Sequence, residues 1–328
     1  MFRKINISVA LAAILTVTGA TVTSALASEI RVSYETSDTH LKARTVGVFK
    51  EELEKATEGK VTVSTYPNSS LIPSRQEVTA VIRGQVEAIV PFVSYYEAIT
   101  PKAKLLSTPL VFSSYEHLTA AMDGKVGEAI YADLEAAGMK PLAFWYETPT
   151  LIFSAQKKLA TLEDVKGMKI RTYPSQTLEA MLETLGANPA VIPGNEIYVA
   201  LVNGTVDGAI TTPSFALSLK LDEVLKHAID VKVVLGGYVF AMNKRFFDGL
   251  SEDEQAAVLA AAKAATEWNK TTIVSEIDDS LAKMHEGGFE LTAVDADEAK
   301  RWQDAMEAVY EGLDPELRQL LEVAKTYQ

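Results

Sequence analysis

Between Asp164 and Phe215 the sequence alternates short strand-like runs with helical runs, and glycine or proline punctuates the junctions. That rhythm belongs to α/β folds, in which each strand is followed by a helix that packs back on the sheet. Gly167 allows a tight turn into a strand at 168–172, and Pro174-Ser175 opens a helix, because the N–H that proline lacks is not needed at a first helical position. Arg171 therefore falls near a strand's carboxyl end. In open α/β sheets ligands bind at that end, where helix N-termini offer N–H donors to anions. An arginine adds a planar fork that matches a carboxylate.

The same alternation begins earlier in the chain. A strand at 30–34, a helix with Leu41, Val46, Phe49 and Leu53 on one face, and a strand at 61–65 make a βαβ opening. Ser74 is placed to cap a helix carrying Val78, Val81 and Ile82, Gly84 to end it, and 88–92 to form a buried strand. Residues just beyond these strands face the ligand edge, which makes Glu35, Phe92, Tyr95 and Tyr96 candidate pocket residues. For Tyr95-Tyr96 packing beside Pro101 is an equal alternative. A carboxylate at Glu35 would favour a ligand carrying a hydroxyl or an amine.

Leu118, Met122, Val126, Ile130 and Leu134 recur every fourth residue and read as one helix. A strand at 141–146 follows and ends in Phe144-Trp145-Tyr146-Glu147, where Trp145 is expected at the pocket and Glu147 beside it. Asn195 is placed to cap the helix 196–202. Gly236-Gly237, between two strands, supplies the dihedral freedom of a hinge. Ser251-Glu252-Asp253-Glu254 is a capping box opening a proline-free helix that runs to Gly287-Gly288. At ~1.5 Å per residue it reaches roughly 50 Å, enough to cross two domains. The rest of the chain is expected to pack on the second domain.

Composition closes off several functions. Residues 1–27 read as a cleavable signal peptide: Arg3 and Lys4, an apolar run at 9–17, then Ala25-Leu26-Ala27 before Ser28. Arg3 and Lys4 are the only charges in that segment, so its removal takes the formal net charge from −13 to −15. Such a balance argues against nucleic acid and anionic membrane surfaces, and makes a local cation necessary for an anionic ligand. There is no cysteine, hence no disulfide framework and no thiolate chemistry. His40, His117, His227 and His285 show no metal-ligand spacing and read as surface or local structure. Neither Gly-x-Ser-x-Gly nor His-Glu-x-x-His occurs, so no catalytic residues, metal or cofactor are expected.

Two motifs in order carry a resemblance. Gly167-Met168-Lys169-Ile170-Arg171, followed by Glu196-Ile197-Tyr198-Val199-Ala200-Leu201 and Gly204-Thr205-Val206-Asp207-Gly208, is similar to the periplasmic solute-binding subunit of tripartite ATP-independent periplasmic (TRAP) transporters, DctP type. The resemblance implies an α/β, two-lobed periplasmic-binding-protein fold with a long helix, about 251–287, spanning both lobes. Lobe I would comprise 28–147 and 237–265, and lobe II 148–236 and 266–328. It also implies that Arg171 pairs with a substrate carboxylate, and that the partners are a small carboxylate and the integral membrane TRAP permease.

The chain departs from the family pattern at two places. Thr148-Pro149-Thr150-Leu151 stands where many members carry Gly-x-Arg, and Ala209-Ile210-Thr211-Thr212-Pro213 where many carry Gln-Glu-Asn-Pro after Asp-Gly. One cationic clamp is therefore missing, and Thr211, Thr212 and Phe215 would make a less polar wall. These substitutions, with Phe92, Tyr95 and Trp145, point to a monocarboxylate with an apolar or aromatic body rather than a dicarboxylate or sugar acid. Glu35 and Glu147 could accept from hydroxyl or amino groups on it. The expected function is an extracytoplasmic receptor, in the periplasm, that closes over the acid and delivers it to a permease. A receptor for an ATP-driven importer or a sensor kinase shares the same physics.

Overall fold

The computed structural model describes residues 28–328, so the signal peptide read at 1–27 lies outside the described residues. Its strands are β1 Ser28–Ser33, β2 Val61–Tyr66, β3 Ala88–Ile89, β4 Met139–Tyr146, β5 Thr150–Ser154, β6 Lys169–Thr172, β7 Asn188–Val191, β8 Gly208–Thr211, β9 His227–Val234, β10 Gly237–Asn243 and β11 Glu290–Thr292. They form two sheets, ordered β2-β1-β3-β10-β4 and β11-β9-β5-β8-β6-β7. β1 is parallel to β2 and β3, whereas β10 runs antiparallel to both β3 and β4. In the second sheet β6 is parallel to β7 and β8, and β5 is antiparallel to β8 and β9. Each sheet is the centre of one lobe. Strand-helix alternation produces the parallel pairs, because a crossover helix returns the chain to the same edge.

The chain passes between the lobes at Glu147-Thr148-Pro149, from β4 to β5, and again at Leu235-Gly236, from β9 to β10. Neither Gly236 nor Gly237 has positive φ. A Cβ on Gly237 would lie 2.0 Å from the Trp145 carbonyl oxygen, and one on Gly236 would lie 3.0 Å from Phe92 Cζ. In this conformation Gly237 lets β10 approach β4 and Gly236 makes room for the Phe92 ring.

The long helix is Glu252–Glu286, opened by a capping box between Ser251 and Glu254. It packs against the Leu41–Ala56 helix and β4 of the first lobe and the Pro213–Ser218 helix of the second. At its middle, buried Asn269 reaches the first crossing: its Oδ1 accepts the Tyr146 N–H at 2.6 Å, and its Nδ2 donates to the Tyr146 carbonyl and Thr45 Oγ1, both at 3.3 Å. An amide side chain thereby satisfies backbone groups that leave the sheet ladder where β4 ends.

Four local expectations change. The fourfold stripe at 118–134 is two helices, Tyr115–Met122 and Lys125–Ala136, parted at Asp123-Gly124. Tyr327 fills the break: its Oη accepts the Lys125 N–H at 3.0 Å and would lie 2.2 Å from a Cβ on Gly124. Ser74 and Asn195 cap no α-helix, because each sits inside a 3₁₀ turn that precedes one. The Ala296–Glu311 helix packs on the Gln176–Thr184 helix of the second lobe. The closing Pro315–Lys325 helix instead lies against 101–107 and Lys125–Ala136 of the first, where the Ala324 carbonyl is 2.9 Å from His117 Nε2.

Candidate functional site

A cavity lies where the strand ends of the two sheets meet. It brings together Glu35, Phe92 and Tyr95 from the first lobe and Arg171, Thr211, Thr212 and Phe215 from the second. Tyr173, Gly194 and Tyr238 complete the lining, and sequence reasoning did not select them. Tyr173 was within reach of it, standing two residues beyond Arg171 at the same strand end. Gly194 makes room for a neighbour: a Cβ there would be 2.8 Å from Phe215 Cζ.

Arg171 is 2% exposed. Its Nε donates to the Ile192 carbonyl and its Nη1 to the Ile210 carbonyl, each at 2.9 Å. Those two bonds fix the plane of the guanidinium, and its Cζ stands 5.9 Å from the centre of the Tyr173 ring. Nη2 holds no hydrogen bond and the group has no carboxylate partner among the described residues. Burial lowers its pKa to about 10, so it remains a cation at neutral pH. Thr211 and Tyr173 line the same cavity, and Thr211 Oγ1 and Tyr173 Oη are buried without hydrogen-bond partners. A buried cation with a donor to spare, in one cavity with two unsatisfied hydroxyls, is an arrangement that an anion with oxygen acceptors completes.

The remaining wall is aromatic. Phe92 packs edge-on against Tyr173 at 4.9 Å and Tyr238 at 5.6 Å between ring centres. Lys42 Nζ sits 3.9 Å from the centre of the Tyr238 ring and donates to Glu35 Oε2 at 2.6 Å. On the far side of Tyr95 a second groove holds Glu97, which accepts from Ser107 Oγ at 2.6 Å. Burial raises the Glu97 carboxyl to about 7 despite that bond and the nearby amide of Gln176.

Three expected pocket residues do not line the cavity. Tyr96 is buried in the first lobe, with its Oη donating to the Val239 carbonyl at 2.9 Å. Trp145 is fully buried within the first lobe, stacked on Phe240 at 4.7 Å, with Nε1 donating to Thr266 Oγ1 at 3.1 Å. Its strand pleat turns it toward the long helix. Glu147 is the centre of a closed network at the first crossing. Its Oε1 accepts from the Thr148 N–H at 2.6 Å, Thr148 Oγ1 at 2.8 Å and Ser214 Oγ at 2.5 Å. Its Oε2 accepts from Tyr238 Oη at 2.6 Å and faces His40 Nε2 at 3.1 Å. Burial alone would raise this carboxyl, but His40 beside it and the hydroxyls of Ser214 and Tyr238 outweigh that and hold it at about 2.

His40 is thus no surface residue. Its Nδ1 accepts the Lys42 N–H at 3.1 Å as cap of the Leu41–Ala56 helix, which places the ring proton on Nε2, toward Glu147 and Ser214. Serine, histidine and glutamate meet here, yet the basic nitrogen of the imidazole points away from the hydroxyl. The grouping ties the lobes at their crossing and leaves Ser214 without an imidazole base. Among the described residues no cluster of His, Asp and Glu is arranged to hold a metal, and no helix is long and apolar enough to cross a membrane.

The pattern of the family described as bacterial extracellular solute-binding protein, family 7 (DctP), matches residues 32–315. The chain is 31% identical over 284 residues to the C4-dicarboxylate-binding periplasmic protein DctP of Rhodobacter capsulatus, which covers 86% of this chain and 85% of the relative. A TRAP periplasmic solute binding protein from Sulfurospirillum deleyianum with bound succinate matches the structure with a TM-score of 0.88 at 28% identity, covering 92% of this chain and 99% of that one. One from Xanthobacter autotrophicus with bound β-D-galacturonate matches with a TM-score of 0.85 at 26% identity, covering 91% and 100%. Two lobes built on separate sheets, crossed by one long helix and enclosing a cavity between their strand ends, place this chain in the DctP family of bacterial extracellular solute-binding proteins, the solute receptors of TRAP transporters.

Proposed function

We propose that this receptor works in the periplasm, exported with residues 1–27 as a cleavable signal, and that it takes up a monocarboxylate with an apolar or aromatic body and passes it to the membrane permease of a TRAP transporter. It performs no chemistry on that ligand. The observation that carries the reading is Arg171: a buried guanidinium, locked in plane by two carbonyls, with Nη2 uncommitted and no acidic partner among the described residues. A carboxylate accepting from Nη2, with Tyr173 Oη and Thr211 Oγ1 donating to its oxygens, satisfies three groups at once. Phe92, Tyr95, Phe215 and Tyr238 then surround whatever the carboxylate carries, a lining suited to a flat or aliphatic body.

The relatives with bound succinate and galacturonate share the carboxylate with this proposal and differ in the rest of the ligand. Arg171 is the one cation among the described lining residues, so a second carboxylate on the ligand would find no guanidinium or ammonium of its own there. Titration calorimetry with phenylacetate, hexanoate, succinate and galacturonate tests the assignment. Binding of the two monocarboxylates, with a smaller radius of gyration on saturation, is the expected result. Binding of succinate or galacturonate alone would refute the ligand class while leaving the receptor role intact.

A further inference from the structure

Residues 107–110 belong to the first lobe, where the turn at 101–107 packs on 93–96 and on the Pro315–Lys325 helix. Their backbone nevertheless bonds to three separate elements of the second. The Ser107 carbonyl accepts from Thr177 Oγ1 at 3.0 Å, the Pro109 carbonyl accepts from Tyr310 Oη at 2.7 Å, and the Leu110 N–H donates to the Val233 carbonyl at 2.9 Å. The last two bonds grip one peptide plane. The Pro109 carbonyl and the Leu110 N–H are the two ends of the same planar unit, so a helix and a strand of the second lobe together set which way it faces.

That orientation strains Leu110, whose φ is +56°, in the left-handed region. The other non-glycines with positive φ among the described residues are Glu58, Asn68, Ser69 and Lys220, all polar. Pro109 and Leu110 are the central pair of a turn. With proline second and positive φ third, a turn is of type II, which asks for glycine or asparagine at that third position. Type I keeps the same proline φ, gives the third residue a negative φ that leucine adopts freely, and differs by a flip of the peptide between the two. That peptide is the one the second lobe holds. Strain of this kind persists only where the surroundings impose it, and here the surroundings are the other lobe. A left-handed leucine costs about what one or two buried hydrogen bonds return, so bonds and strain stand near balance.

We infer that the Pro109–Leu110 peptide is a two-state latch, held in its strained orientation by Tyr310 and Val233 while the lobes are closed and flipping to the relaxed turn when they part, so that it limits how firmly the closed state is held. This rests on the closing motion proposed for the receptor. The chain has no cysteine, so spin labels at Arg75→Cys and Val199→Cys, exposed sites on opposite lobes, report the lobe separation by pulsed electron double resonance. Phenylacetate, hexanoate, succinate and galacturonate are the probes, each also titrated by calorimetry. The ratio of closed to open protein should rise from Leu110→Val through wild type and Leu110→Asn to Leu110→Gly, in the order in which these residues accept positive φ. Leu110→Gly should exceed wild type about fivefold or more, and bind the acid that closes the wild type more tightly by a similar factor. Tyr310→Phe should bind it about threefold or more weakly. Should Leu110→Gly not fold, Leu110→Asn carries the same sign. Closure of the wild type by any of the acids, with these variants indistinguishable from it, overturns the latch and leaves the receptor reading in place. One unchanged distance in every sample overturns the closing motion and the latch with it.

Discussion

The crossing around Glu147 and the cavity wall around Arg171 bury opposite charges to almost the same degree, 1% and 2% exposed, and treat them differently. At the crossing both carboxylate oxygens are fully engaged, by donors drawn from both lobes. At the wall one guanidinium nitrogen and two hydroxyls of the same cavity are left unsatisfied. Desolvating an ion costs several kcal/mol unless partners replace its water. A completed set of partners marks a charge that serves the fold. An incomplete set, facing a cavity, marks one whose last partner arrives from outside.

Three measurements can break or sharpen that contrast. The largest effect belongs to the crossing: Glu147→Ala strands His40, Ser214 and Tyr238 without their acceptor and should cost about 3–5 kcal/mol in denaturant unfolding. A variant of unchanged stability would show that the network is not structural. Next comes Arg171→Met, which should weaken monocarboxylate binding by on the order of 2–5 kcal/mol and leave stability equal or higher, since an incompletely paired buried cation is removed. If it destabilised the protein as much as Glu147→Ala, the distinction between the two regions would collapse.

The smallest effect is in pH. Glu147 is held at about 2, below the ordinary carboxyl value, so its stabilisation is present above pH 4.5 and is lost as pH falls toward 2. Glu97, held up at about 7, has the opposite sign: the folded protein keeps a proton there that the unfolded chain releases, so stability falls as pH rises from 4.5 through 7. The slope is at most ~1.4 kcal/mol per pH unit. Glu97→Gln should flatten the fall between pH 5 and 7, and Glu147→Ala the loss below pH 4.5, in unfolding curves collected across that range. A Glu97→Gln curve parallel to wild type would assign the fall to other groups.

Arg171 was legible because its position depends on nearby residues: a glycine turn before it, a four-residue strand around it and a proline after it. Phe92, Tyr95, Thr211 and Phe215 were legible for the same reason: Phe92 and Tyr95 follow β3, Thr211 ends β8 and Phe215 follows it. Glu147 was not. It also follows a strand, but its partners His40, Ser214 and Tyr238 come from distant parts of the chain, and no local spacing announces that they saturate it. Trp145 shows that an aromatic residue at a strand end can face the core as easily as the cleft, and the stacking ring of Phe240 decided which. The break at Gly124 had a local sign in Asp123-Gly124, a dipeptide that favours turns, whereas the Tyr327 hydroxyl that caps Lys125 from 202 residues away had none.

The strand order of the first sheet has a consequence for the growing chain. β10 lies between β3 and β4, and β4 joins the sheet only through it. A chain emerging from its N-terminus therefore cannot finish its first lobe until residues 237–243 have appeared, after the whole sequence of β5 to β9. Up to that point β4 is a hydrophobic segment with no neighbour to pair with, and sheet closure must wait for a contact of long sequence separation, which slows folding. Until then the first sheet can hold only β1, β2 and β3, so for most of the chain's synthesis one lobe is left with its sheet unfinished while strands β5 to β9 of the other are already made.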